Sequence, residues 1–198
     1  MPAFLRWPGK IPAGSVLNGI VSHQDMLPTL LAAAGDPDVS KKLLAGYKVG
    51  DKTFNVHIDG VNQLPYITGQ AKESPRDFFF YVSDDGGIMA VRVGDYKLTF
   101  EVQRAFQMNV WAEPMVKLRV PHIFHLRRDP FERADYNSNT YWNWVVDHIP
   151  QLYECQAIVA SQIQNFIKYP PRQKAASFNL DAVMESLHHT QTAVAGHK

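Results

Sequence analysis

The most regular hydrophobic pattern lies between residues 77 and 103. In "YKLTFEVQ", Tyr96, Leu98, Phe100 and Val102 alternate with Lys97, Thr99 and Glu101, the period-two spacing of a strand with one buried and one wetter face. "DFFFYVS" and "GIMAVRV", just upstream, are rich in aromatic and β-branched residues. Turn residues separate the three runs, first Asp84-Asp85-Gly86-Gly87 and then Gly94-Asp95. The second pair makes a two-residue loop with glycine in the first place, as a tight hairpin requires. These signals predict an antiparallel meander, with "HIFHL" as a fourth strand beyond the loop 103–120.

Other periods surround the meander. Residues 2–7, "PAFLRW", form an apolar run stopped by Pro8-Gly9, which predicts a buried strand with a hard end. Its backbone groups would need neighbouring strands, and none precedes it in this sequence. In "GIVSHQDMLPTLLAAAG", Leu27, Leu30, Leu31 and Ala34 fall on one face of a helix. Ser22 or Asp25 can cap it, Pro28 suits its first turn and Gly35 its end. "VSKKLLAGY" predicts a short helix, "TFNVHIDG" a short strand, and "VNQLPYITG" one or two helical turns. Beyond Thr140 the period is helical again, with Leu152, Cys155, Val159, Ile163 and Phe166 on one apolar face. Pro150 should kink or divide that segment, and Pro170-Pro171 should end it. A last helix, "NLDAVMESLHH", would take Asn179 as its cap and bury Leu180, Val183, Met184 and Leu187. No internal repeat is present. The fold class is α/β, or α+β for this stretch taken alone.

Composition adds bounds. The 198 residues are 45% hydrophobic and 20% charged, the balance of a folding chain rather than a disordered one. A net charge of +1 provides no electrostatic case for nucleic acid or an anionic membrane surface. No apolar run approaches the ~20 residues that span a bilayer, and Pro8-Gly9 break the one stretch that resembles a signal peptide. The single cysteine, Cys155, excludes an internal disulfide and a multi-cysteine zinc site; its helical surroundings suit a small buried hydrophobe.

Candidate chemistry is sparse. His122 and His125 in "PHIFHLRRDP" have an H-x-x-H spacing, but i and i+3 on a strand point to opposite faces. Packed or solvent-facing histidines are the better reading. His23 and Asp25 form a histidine–carboxylate pair of the kind that makes an oriented base, yet capping alone accounts for Asp25. Asp84 and Asp85 are explained by turn chemistry, and "YWNWVV" by core packing. Phosphate-binding loops, the G-x-S-x-G nucleophile elbow and the H-E-x-x-H zinc motif are all missing. The loop 103–120, with Arg104, Trp111 and Arg119, remains as a candidate rim for a substrate pocket, because loops on a rigid sheet often carry binding residues. An ordinary surface connection is the equal alternative.

Taken in order, "PAFLRWPGKIPAG", "VSHQDMLPTLLAAAG", "HIDGVNQLPYITG", "SPRDFFFYVSDDG", "AVRVGDYKL" and "IFHLRRDPFERADYN" closely resemble the C-terminal third of arylsulfatases. These are type I sulfatases of the alkaline-phosphatase-like superfamily. The likeness covers nearly the whole chain, and "YPPRQKAASFNLDAVMESL" resembles the end of a bacterial-type subgroup. It implies that residues 1–70 end the large sulfatase α/β domain, with its last strand and helix. Residues 71–198 would then form a C-terminal subdomain: a four-stranded antiparallel sheet packed with helices. It also implies hydrolysis of sulfate esters by a formylglycine nucleophile, made from cysteine or serine in a C-x-P-S-R-type motif, beside a divalent ion, usually calcium. Cys155 in "ECQAI" does not match that motif, and the family's metal ligands precede the segments seen here. The chain alone is therefore expected to be inactive and to act with an N-terminal catalytic portion that binds the sulfate ester. The alternatives are a non-catalytic interaction module, pairing through the edge of its first strand, and the tail of a related phosphoesterase.

Overall fold

The computed structural model describes residues 3–83 and 86–170. Two compact units divide the chain. Among the described residues, one holds 3–79 together with Arg92–Lys97 and His125–Phe131; the other holds 80–83, 86–91, Leu98–Phe124 and 132–170.

In the first unit a 3-10 turn, His23–Asp25, leads into α1, Met26–Ala33, followed by α2, Val39–Ala45. A small hairpin comes next: β1, Tyr47–Val49, pairs antiparallel with β2, Lys52–Phe54, Tyr47 standing opposite Phe54. Then comes one turn of helix, α3, Leu64–Ile67, with Pro65 in its first turn. "TFNVHIDG" is thus strand only as far as Phe54.

Two expectations are corrected here. Residues 3–7 are irregular rather than a strand, and Phe4 is 96% exposed. Apolarity marks a strand only where a ladder partner exists, and no strand of the described chain pairs with them. On α1, the buried positions are Pro28, Thr29 and Ala32, whereas Leu27 and Leu30 are exposed. The helix is apolar on more than one side, so periodicity alone could not select the face that the chain covers.

The meander is present as a four-stranded antiparallel sheet: β3, Phe78–Val82; β4, Ile88–Val93; β5, Tyr96–Val102; β6, Val116–His125, in that spatial order. Gly94 takes the positive φ of +55° that the β4–β5 turn needs. Alternation is less clean than the sequence suggests. Ala90 and Val91, Leu98 and Thr99, and Ile123 and Phe124 are all buried as consecutive pairs. Successive side chains point to opposite faces, so the middle of the sheet is covered on both.

In the second unit the sheet is followed by α4, Ala134–Asn137, α5, Tyr141–Asp147, and α6, Ile149–Lys168. Pro150 does divide the helical segment, and it occupies the first turn of α6, where its missing N–H costs little. The core contains Leu98, Ile123, Phe124, Tyr141, Val145 and Cys155. Of "YWNWVV", Tyr141 and Val145 are buried, whereas Trp142 is half exposed.

Tyr141 has a second task. Its hydroxyl donates to the Ile123 carbonyl at 3.0 Å and accepts the Ile123 N–H at 3.1 Å. β6 is an edge strand, and this hydroxyl satisfies both backbone groups that a further strand would have met. Tyr141→Phe should cost ~1–3 kcal/mol, since it leaves a buried donor and acceptor unpaired. Urea denaturation checks this, and a variant as stable as its parent would sink the assignment.

Candidate functional site

The loop between β5 and β6 carries the residues that the sequence marks as a candidate rim. Gln103 organises it. Its side-chain Nε2 donates to the carbonyls of Val110 at 3.3 Å and Glu113 at 2.9 Å, while its Oε1 accepts the Ala105 N–H at 2.9 Å. One amide thus ties together both ends of a 3-10 turn, Gln107–Trp111. Gln107 enters that turn with φ +56°, a left-handed conformation uncommon for a residue with a side chain.

A groove of about 430 Å³ opens in this loop, lined by Arg104, Phe106, Asn109 and Glu113 among others. Arg104 is therefore at the groove, whereas Trp111 and Arg119 are exposed but do not line it. The sequence reading missed Phe106 and Met108, which are 82% and 76% exposed. Their signal was there to see: a loop that repeats apolar residues through "AFQMNVW" yet turns them outward.

The other histidines and acids are placed differently. Asp25 is not a base and does not cap α1 through its side chain. Its carboxylate is fully buried and holds the Arg76 guanidinium, with Nε–Oδ2 at 2.8 Å and a second, short contact from Nη2 to Oδ1. It also accepts the N–H groups of Ser22 and Val61, each at 2.9 Å, and the Gln63 side-chain amide at 3.2 Å. Arg76 in turn donates to the Asp59 carbonyl at 2.9 Å, and the Gln63 N–H donates to Thr29 Oγ1 at 2.9 Å. Burial would push the Asp25 carboxyl up, but the Arg76 hydrogen bonds, the two backbone donors and the Arg76 charge together hold it below the usual carboxylate range. Such a group stays ionised and saturated, and is no proton acceptor at neutral pH. His23 is exposed beside it.

His122 Nδ1 lies 3.3 Å from Asp135 Oδ2, while His125 packs edge-on against Tyr96. The two rings have separate partners, as i, i+3 strand geometry requires. Asp84 and Asp85 lie outside the described residues. Cys155 is buried, and burial, with the nearby Glu154 charge, pushes its thiol up; a raised thiol is a poor nucleophile.

Calcium and formylglycine, which the arylsulfatase resemblance implies, find no home in the residues described. Calcium takes ~6–8 oxygen ligands. Among the described residues no group of three or more His, Cys, Asp or Glu is placed to hold a metal ion, and the buried carboxylate Asp25 is already matched by Arg76. The buried Cys155 lies outside any C-x-P-S-R sequence.

Comparisons with known proteins show which family the chain resembles and which part of it. Residues 74–185 match the family model described as the C-terminal region of aryl-sulfatase. Human arylsulfatase A is 28% identical over 184 residues, which is 88% of this chain and 33% of that protein. The N-acetylgalactosamine-6-sulfatase of Canis lupus familiaris is 31% identical over 148 residues, 67% of this chain and 25% of that one. The chain thus spans about a third or less of the length of these relatives. Among solved structures, the PsFucS1 sulfatase from Pseudoalteromonas sp. superposes with a TM-score of 0.61 at 24% identity, over 85% of this chain and 30% of that one. That likeness supports the fold. With the sheet order, the helices and the matched region all in agreement, the chain belongs to the arylsulfatase family and corresponds to its C-terminal region.

Proposed function

We propose that this chain completes a sulfate-ester hydrolase, with residues 1–70 closing the large α/β domain and residues 71–198 forming the C-terminal subdomain. The exposed apolar surface of the first unit carries this reading. Phe4, Val16, Leu27 and Leu30 are each more than half exposed, a density of large apolar side chains that marks an interaction surface. An N-terminal catalytic portion of the sulfatase kind is the partner that the family match supplies. That portion would bring the nucleophile and the calcium, and the present chain would contribute stability and part of the pocket wall. On its own the chain would be inactive toward sulfate esters.

Within the complete enzyme, the Arg104, Trp111 and Arg119 loop would rim the substrate pocket. Arginine suits that place because its guanidinium forks match anionic oxygens, and Trp111 offers a flat face to an aromatic leaving group.

Two measurements test the reading. The native protein, captured with an antibody against residues 150–168, should have a mass far above 22.4 kDa and should hydrolyse an aryl sulfate. A species of 22.4 kDa with no such activity and no associated chain would overturn it. In the active enzyme, Arg104→Ala and Arg119→Ala should each raise KM for an aryl sulfate by about 2–5-fold with kcat unchanged, the scale of an exposed charge contact. Unchanged KM in both would make the loop a surface connection.

A further inference from the structure

The sequence contains one Asn-Gly step, Asn18-Gly19, and Asn18 is exposed. An asparagine before glycine is the one most open to spontaneous loss of its side-chain amide, because no side chain shields the glycine nitrogen or restricts its backbone. Packing dictates the glycine here. A Cβ at position 19 would stand 2.7 Å from Ser74 Cβ, 2.8 Å from the Tyr66 hydroxyl oxygen and 2.9 Å from Tyr66 Cζ. The reactive pairing is therefore built into the fold, and so is a restraint on it. The Gly19 N–H donates to the Tyr66 hydroxyl at 2.7 Å, and Tyr66 is buried in α3. The next residue is anchored too: the Ile20 carbonyl accepts Ser74 Oγ at 2.6 Å and the Gln63 side-chain amide at 3.4 Å.

We propose that Asn18 is a deamidation site and that the Tyr66 hydroxyl holds it in check. In the reaction the Gly19 amide gives its proton to a base in solution, and its nitrogen attacks Asn18 Cγ. A bond forms between them, the Cγ–Nδ2 bond breaks, and Nδ2 departs as ammonia with a proton from water. Water then opens the cyclic imide at either carbonyl, leaving aspartate or isoaspartate; nothing is oxidised or reduced. To begin, the Gly19 nitrogen must leave Tyr66 and turn toward the neighbouring side chain, against the anchors on Ile20. One hydrogen bond lost in this way slows the step by roughly three- to tenfold. Either product brings a negative charge to position 18, and isoaspartate adds a methylene to the main chain. That extra length shifts Gly19 and Ile20 away from Tyr66, Ser74 and Gln63, so the reaction, once complete, undoes its own restraint. This inference concerns the first unit alone and stands apart from the sulfatase reading.

The test ages the full chain at mildly alkaline pH. Mass spectrometry of the peptide bearing Asn18, with enzymatic methylation of isoaspartate, gives the rate. The parent should react several-fold more slowly than a synthetic peptide of residues 13–24. Tyr66→Phe, which removes only the hydroxyl, should react about three- to tenfold faster than the parent. Ser74→Ala loosens the Ile20 anchor but leaves the Gly19 bond in place, and should quicken the reaction less. A parent as fast as the peptide would overturn the proposal, as would a Tyr66→Phe rate equal to the parent's. Equal acceleration by Tyr66→Phe and Ser74→Ala would overturn it too, in favour of general loosening of the segment. Should Tyr66→Phe unfold, hydrogen exchange at the Gly19 amide of the parent carries the test: slow exchange alongside slow deamidation is expected, and fast exchange would overturn the proposal.

Discussion

Replacing Arg76 with leucine is expected to lower stability by ~3–5 kcal/mol, the scale of a buried ion pair that loses one partner. Asp25 is wholly enclosed, so the carboxylate left behind would have neither water nor counter-charge. It would retain only the Ser22 and Val61 amides and the Gln63 side chain. Replacing both members, as in Asp25→Leu/Arg76→Leu, should cost less than the sum of the single changes, because no charge is stranded. Urea denaturation of the four species gives the coupling; an Arg76→Leu variant within ~1 kcal/mol of its parent would refute the account. The same pair sets an acid limit. The folded Asp25 carboxyl is held below its ordinary value, so its contribution is complete above the unfolded carboxylate pKa of ~4. It is lost as pH falls through the depressed folded value. Asp25→Asn should be less stable at neutral pH and should have a flatter stability profile below pH ~4.

Gly60→Ala should be nearly as damaging. A Cβ at this buried position would collide with the Gln24 carbonyl oxygen, and would stand 2.9 Å from the carbon of that group and 3.2 Å from Pro28 Cδ. The obstacle is backbone, which cannot rotate away, and it belongs to the 3-10 turn that ends in Asp25. Overpacking of this kind costs ~1–3 kcal/mol. Because the turn must move with the collision, the expected loss is about 3 kcal/mol, the top of that range. A urea midpoint equal to the parent's would show that the turn yields freely. Slowed hydrogen exchange at the Val61 amide, which now donates to Asp25 at 2.9 Å, would contradict the mechanism just as directly.

How far the sequence spoke for itself depended on range. Local signals carried over: the meander, the Gly94 turn and the division at Pro150 each rest on residues within a few positions of one another. Residues 3–7 did not carry over, because apolarity alone does not supply the ladder neighbour that a strand requires. Asp25 failed for a different reason. A capping position is a sufficient local account of an aspartate before a helix, and nothing near it in sequence announces Arg76, 51 positions on. The rim candidates were chosen by residue type, and the loop geometry sorted them, placing Arg104 at the groove and leaving Trp111 and Arg119 beyond its lining. Gln103, which ties the loop, carried no signal at all. A glutamine at a strand end is ordinary until its three partners are seen.

That 51-residue separation has a consequence in time. Synthesis adds ~5–20 residues per second, so roughly 3–10 s pass between the appearance of Asp25 and that of Arg76. Until then the 3-10 turn that bears Asp25 cannot be enclosed, since a buried carboxylate without its guanidinium is prohibitively costly. Val61 and Gln63 are made earlier, but they bring only neutral donors. That corner of the first unit must therefore wait on the ribosome, hydrated and open, until its cation arrives; Arg92–Lys97 and His125–Phe131, which belong to the same unit, are made later still.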